Sequence, residues 1–270
     1  MDAHPALTVA VFWLVFGGLH IGLTTRRIRA ALVGRLGEHG FTALFSVIAS
    51  VSFAVAIAYY AAHRAEGAFG LALGAVPVLR PILMTVAVLG IVFMGSGSTT
   101  YVGSPYDLLA HRIRPPRGME RVTRHSFFTG LTLFALAHAL LATRLAGTVL
   151  FSGVALVAIA GAYHQDRKLL RRIGRPYADY LAATSAVPFA AIVAGRQRLV
   201  WAELPFAALG ASLVLAAMLR AVHASLFAYD GAYVIAAVVG GALILTWQSA
   251  RRAQRQAALE AASVVRSVVG

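Results

Sequence analysis

The chain has 270 residues, of which 59% are hydrophobic and only 13% charged, against about a quarter in soluble domains. A water-soluble fold of this size could not hide so much apolar surface, so lipid is the expected solvent. The formal net charge is +14 and cysteine is absent, which excludes disulfides, thiolate metal sites and haem attached through paired cysteines.

Residues 1–5 carry no basic run, so the first apolar stretch, 6–23, reads as a retained span and not a cleaved leader. A membrane-crossing helix needs roughly 20 mostly apolar residues. Further stretches follow at 41–62, 81–95, 127–142, 147–163, 205–219 and 232–247, the third and sixth being short. The predicted fold class is all-α: a polytopic transmembrane helix bundle of about seven spans (range 6–7) over residues 1–250, with a polar cytoplasmic tail over 251–270. The run 182–194, interrupted by Pro188, predicts an interfacial or re-entrant segment.

The basic residues partition between these runs. Arg26, Arg27, Arg29 and Arg35 follow the first span, and Arg112, Arg114, Arg117, Arg121 and Arg124 precede the fourth. Seven more follow the fifth and four follow the seventh, giving 20 on one side against Arg64, Arg80, Arg144 and Arg220 on the other. Basic loops stay in the cytoplasm. The expected setting is a bacterial-type inner membrane, with the N-terminus outside and the C-terminus inside. This placement also argues against nucleic acid as a partner, because the positive charge forms no compact face. Membrane lipid is the expected surrounding, and nothing in the sequence sets the oligomeric state.

In 165–183, Leu169, Leu170 and Ile173 recur at helical spacing among five basic residues; Gly174 and Pro176 then interrupt, and Tyr177, Tyr180 and Leu181 resume the apolar face. This pattern predicts a broken amphipathic helix on the cytoplasmic surface.

Acidic residues are nearly absent from the spans, so no carboxylate pair is available there for acid–base work. Histidine remains. His20 lies in the first span and His138 in the fourth, His125 opens the fourth, His164 closes the fifth, and His223 follows the sixth. Neutral imidazole is a common haem ligand, although a histidine hydrogen-bonded to a neighbouring helix explains each position equally well. His125 and His138 are 13 residues apart, roughly 20 Å along a regular helix, so they cannot share one iron. By depth, His20 matches His125 or His164, and His138 matches His223.

From Arg117 the chain reads RGMERVTRHSFFTGLTLFALAHALL, and later AYHQDRKLLRRIGRPYADYLAATSAVPFAAIVAGRQRL. The RH pair before Gly130, Ala137-His138, Asp166-Arg167, Gly174 and the run from Thr184 to Gln197 resemble the NnrU family of membrane proteins, and within it the 15-cis-zeta-carotene isomerase-like branch. His20, followed by basic residues and GRLGEHGFTALFSVIAS, agrees with it. The resemblance covers about 12–199. It implies a haem b held by two histidines, at the positions of His20 and His138, with His125 in reserve. Arg124 is then a candidate for a haem propionate. The implied activity is cis–trans isomerisation of a lipid-soluble polyene. One departure is that the family's RHP stands here as Arg124-His125-Ser126, without the proline that would fix the helix entry.

Two other functions follow from resemblance. Members of the same family are associated with denitrification, where a haem would relay nitric oxide or electrons. The RH…G…G…Y…Y pattern is also similar to isoprenylcysteine-type, S-adenosylmethionine-dependent membrane methyltransferases, whose Glu-Glu pair is replaced here by Gln165-Asp166. Tyr101 and Tyr106 are candidates for shaping a cavity mouth.

Overall fold

In a computed structural model, residues 3–100, 114–241, 243 and 244 are described. Tyr101, Tyr106 and the 251–270 tail lie outside them. The described residues are helical apart from turns and one isolated bridge between Phe69 and Arg144. In chain order the helices are α1 (His4–Thr24), α2 (Arg26–His63), α3 (Leu79–Thr100), α4 (Met119–Val122), α5 (Ser126–Leu141), α6 (Leu145–Ile173), α7 (Arg175–Ala183), α8 (Ala190–Val193) and α9 (Phe206–Ala221). Residues 228–241 are helical as well.

Four segments are long and apolar enough to cross a membrane: His4–Thr24, Gly40–His63, Leu79–Gly97 and Leu145–Ile173. Ser126–Leu141 and Phe206–Ala221 are shorter apolar helices. The outward faces of the long helices carry bare aliphatic side chains, such as Leu14 of α1 at 75% and Leu156 of α6 at 67% exposure. Water would penalise that surface, and lipid does not. The chain is thus an all-helical membrane protein.

The chain divides into two compact units, one of residues 1–17 and 63–224, the other of 18–62 and 225–270. In the first unit α3, α5, α6 and α9 pack side by side. Glycine makes the closest of these contacts. A Cβ on Gly90 of α3 would stand 2.7 Å from the Gly130 carbonyl oxygen of α5, and one on Gly130 would stand 2.6 Å from the Met94 nitrogen. Without a hydrophobic drive between helices in lipid, such backbone approach supplies the packing energy. On α6, Gly153 leaves room for the indole of Trp13 and Gly161 for the ring of Phe128.

One end of this unit is closed by a polar cap. Arg124 N–H donates to the Ser185 carbonyl at 2.9 Å, Phe189 N–H to the Val122 carbonyl at 2.8 Å, and the Thr123 hydroxyl to the Ala186 carbonyl at 2.9 Å. The expected re-entrant run 182–194 therefore folds back onto α4, with Ile192, Leu199 and Leu204 against a buried cluster of Phe93, Met119 and Val122. At the opposite end the 64–78 loop clips onto the α5–α6 turn, through Gly70 N–H to the Thr143 carbonyl at 3.0 Å and Leu145 N–H to the Ala68 carbonyl at 2.9 Å.

The expected broken helix is present. With 29 residues, α6 is about 43 Å long, more than a hydrocarbon core of about 30 Å. Its last turns therefore continue past the apolar part. Gly174 ends it at φ 73°, a left-handed conformation that glycine takes without a Cβ penalty. Pro176 then sits in the first turn of α7, where its missing N–H costs nothing.

In the second unit, α2 is interrupted at Gly37 (φ 70°, ψ 171°). Arg29 donates to Glu38 at 2.7 Å across this break. Gly231 packs on Ile57 and Ala61, and Tyr60 meets Phe227 edge-on at 5.1 Å.

Candidate functional site

The histidines of α5 mark two separate places in the first unit. His138 lies near the C-terminus of the helix. Its Nδ1 is 2.8 Å from the Phe134 carbonyl oxygen. A carbonyl only accepts, so the ring proton is on Nδ1 and Nε2 keeps its lone pair. This is the arrangement in which a second hydrogen bond fixes the tautomer and orientation of a metal-binding imidazole. The half-buried ring has Phe134 at 4.1 Å, Phe151 at 4.9 Å and His223 at 6.2 Å between ring centres. A neutral imidazole with its Nε2 lone pair open, flanked by flat apolar rings, has the donor chemistry that a haem iron would require.

His125 stands at the other end of α5, against the polar cap. It is 3% exposed, and its Nε2–H donates to Asp166 Oδ1 at 2.9 Å. Nδ1 is buried with no hydrogen-bond partner among the described residues. The nitrogen that would reach a metal most readily is thus taken, and His125 fits an axial ligand less well than His138. Arg124 turns to the same carboxylate, donating through Nε at 2.9 Å and Nη2 at 2.8 Å to Asp166 Oδ2. The Tyr177 hydroxyl of α7 completes the set, 2.6 Å from Asp166 Oδ1.

Asp166 therefore accepts four hydrogen bonds from three side chains on two other segments. A buried carboxylate is expensive unless paired and hydrogen-bonded, and this one has both kinds of partner. Burial first, and then the Asp166 carboxylate beside it, raises the pKa of the Tyr177 phenol well above its ordinary value, so Tyr177 remains a donor at any physiological pH. In the sequence Arg124 is a candidate for a cofactor and Tyr177 falls on an apolar face, and their spacing does not join them through Asp166. The signal available was the lone acid at the end of an apolar run, since such a group needs a partner nearby.

A second ionic contact ties the cap to the start of α9. Glu203 accepts from Arg121 Nε at 2.8 Å, from Arg121 Nη2 at 3.1 Å and from the Gly118 backbone N–H at 2.9 Å. The Arg121 guanidinium, helped by the Gly118 N–H, holds the Glu203 carboxyl down to about 2.

The absent proline does not delay the helix. Ser126 occupies the first position of α5, and the Thr123 hydroxyl accepts the His125 N–H at 3.3 Å. His20 lies on α1 in the second unit, half-buried, with its ring 4.7 Å from that of Phe45. His164 is exposed on α6. Among the described residues no group of three or more His, Asp or Glu side chains is arranged to hold a metal ion.

The amino-acid sequence has counterparts among known proteins. The family model described as NnrU protein matches residues 7–231. The chain belongs to the NnrU family. Two relatives of this NnrU chain are the chloroplastic 15-cis-zeta-carotene isomerases of Arabidopsis thaliana and Zea mays, 28% and 25% identical over 205 residues. Each alignment covers 73% of this chain and 53% of the relative, so the chain spans about half the length of the curated relatives it matches. No solved structure matches it.

Proposed function

We propose that this NnrU-family chain is a haem b-dependent isomerase that converts a cis double bond of a lipid-soluble polyene to trans. The observation that carries this reading is His138, a neutral imidazole fixed through Nδ1–H on the Phe134 carbonyl, with Nε2 left to bind iron. The relatives named as 15-cis-zeta-carotene isomerases support the reaction class. The substrate class follows from solvent: a polyene dissolves among acyl chains, and the apolar outer faces of the spans are open to lipid.

In this reading His138 would hold the iron of a bound haem, and His20 is the second histidine that the family resemblance implies. Bound haem would supply an iron able to share charge with a conjugated double bond, lowering its resistance to rotation. The chain's own groups hold and orient that centre. Phe134 and Phe151 keep water from the imidazole, and the Phe134 carbonyl keeps its proton on Nδ1. The Asp166 cluster lies at the far end of α5, where it anchors the cap and takes no part in the chemistry. The topology that goes with this function has about seven spans in a bacterial-type inner membrane, with the basic segments in the cytoplasm.

The test is spectroscopic. The protein purified in detergent, supplied with haem b, is expected to show a Soret band that His138→Ala abolishes and His164→Ala, an exposed position, leaves intact. A colourless wild-type protein, or a His138→Ala variant with an unchanged band, would remove the basis of the reading.

A further inference from the structure

We infer that the end of α6 beyond Asp166 is a docking surface for the head groups of anionic phospholipids, formed by Arg167, Lys168, Arg171 and Arg172. Charge and depth carry this assignment, and no haem enters it.

The acids at the capped end of the first unit already have partners. Asp166 is held by Arg124, His125 and Tyr177. Glu120 accepts from Arg114 at 2.8 Å and 3.0 Å, and Glu203 accepts from Arg121. Asp179 of α7 lies 3.3 Å from Arg175. Among the described residues no carboxylate pairs with Arg167, Lys168, Arg171 or Arg172, and all four residues are exposed. Cations in the last turns of a helix do offset its negative end, but that end is worth only about half a charge. Four cations exceed it several times over, so most of their charge is left for a partner outside the chain or for solvent ions.

Depth selects lipid as that partner. Between Arg144, just before α6, and Arg167 the helix carries no Lys or Arg. The stretch 145–166 rises about 33 Å, close to a hydrocarbon core of about 30 Å. Arg167 thus stands where acyl chains give way to phosphate groups. Its guanidinium lies 5.4 Å from the centre of the exposed Tyr163 ring, and tyrosine is favoured at that boundary. The neighbouring cap agrees with this depth, because Phe189 and Val193 expose apolar side chains there, Val193 at 86%. Such exposure suits the boundary of head groups and acyl chains better than bulk water. Clustered Lys and Arg beside the end of an apolar helix attract anionic lipid. A soluble acidic protein or a nucleic acid would first have to displace those head groups.

The experiment places the full chain in vesicles of equal parts phosphatidylcholine and phosphatidylglycerol. Tyr163→Trp serves as the probe, with Trp13, Trp201 and Trp247 changed to Phe, and bromine on the acyl chains of one lipid or the other quenches it by contact. Brominated phosphatidylglycerol is expected to quench about two-fold or more as strongly as brominated phosphatidylcholine. Arg167→Gln, Lys168→Gln, Arg171→Gln and Arg172→Gln together are expected to equalise the two lipids. Arg220→Gln, in the last turn of α9 at the opposite end of the unit, is expected to leave the preference in place. High salt screens exposed charges and is expected to erase the preference in the chain that keeps its four cations, so a folding fault in the four-fold variant does not decide the outcome. Equal quenching by the two lipids, a preference that survives the four substitutions or high salt, or one lost with Arg220→Gln overturns the assignment. So does loss of the preference when short RNA or polyglutamate is added to both sides of the membrane at the concentration of the protein, which would mark a macromolecular contact instead.

Discussion

The Tyr177 hydroxyl donates to Asp166 Oδ1 across 2.6 Å and joins the short helix α7 to the end of the long apolar helix α6. The two residues lie on either side of the break at Gly174. The same carboxylate holds Arg124 and His125 at the entry of α5. One acid thus fixes how three segments meet.

Removing that acid takes the carboxylate away from the buried His125 and the half-buried Arg124. Asp166→Ala is expected to cost about 3–5 kcal/mol, the usual penalty for breaking a buried ion pair from one side. Tyr177→Phe removes one bond to a charged group and costs about 1.5–3 kcal/mol. Thermal unfolding in detergent checks both, and equal melting points for the two variants would mean that the ionic contacts at Asp166 contribute nothing.

Helix packing offers an independent test. Gly130→Leu is expected to lower expression and melting temperature sharply, because a side chain there collides with the backbone of α3 at Gly90 and Met94. Gly210→Leu, on α9 with open space at its Cβ, is expected to leave both unchanged. The pair compares close approach with helix propensity alone, since both substitutions replace a helical glycine.

The Glu203–Arg121 contact carries a pH dependence whose sign is fixed. The folded Glu203 carboxyl sits near 2, below its ordinary value of 4.5. Its contribution is therefore fully present above about pH 4.5 and is lost as pH falls toward 2. Trp201 lies in the same short turn as Glu203. Its fluorescence, with Trp13 and Trp247 changed to Phe, is expected to shift over that window, and Glu203→Gln is expected to place the protein in the shifted state at neutral pH.

The sequence disclosed the solvent and the helical class, because runs of apolar residues as long as 41–62 have few alternatives. Gly174 and Pro176 marked the break between α6 and α7 for equally local reasons. The 184–204 segment was less legible. Its apolar run is answered by α4 and by Phe93, far away in the chain, and no local pattern announces such a partner. His125 and His138 looked alike as letters and differ in what lies opposite, a carboxylate for one and a backbone carbonyl and aromatic rings for the other. The third and sixth spans, 81–95 and 205–219, read as short because charged, glycine and proline residues break their apolar runs; in the structure α3 extends over Leu79–Thr100, while α9 stays at Phe206–Ala221.

The most direct trial of haem-dependent isomerisation follows zeta-carotene isomers by chromatography, with haem-loaded protein reduced in detergent under nitrogen. The wild type is expected to convert the 15-cis form to trans, with His138→Ala reduced to the rate without protein and Asp166→Asn retaining turnover at temperatures where it stays folded. Equal conversion by wild type and His138→Ala, or none by a wild type shown to carry haem, would set the isomerase reading aside.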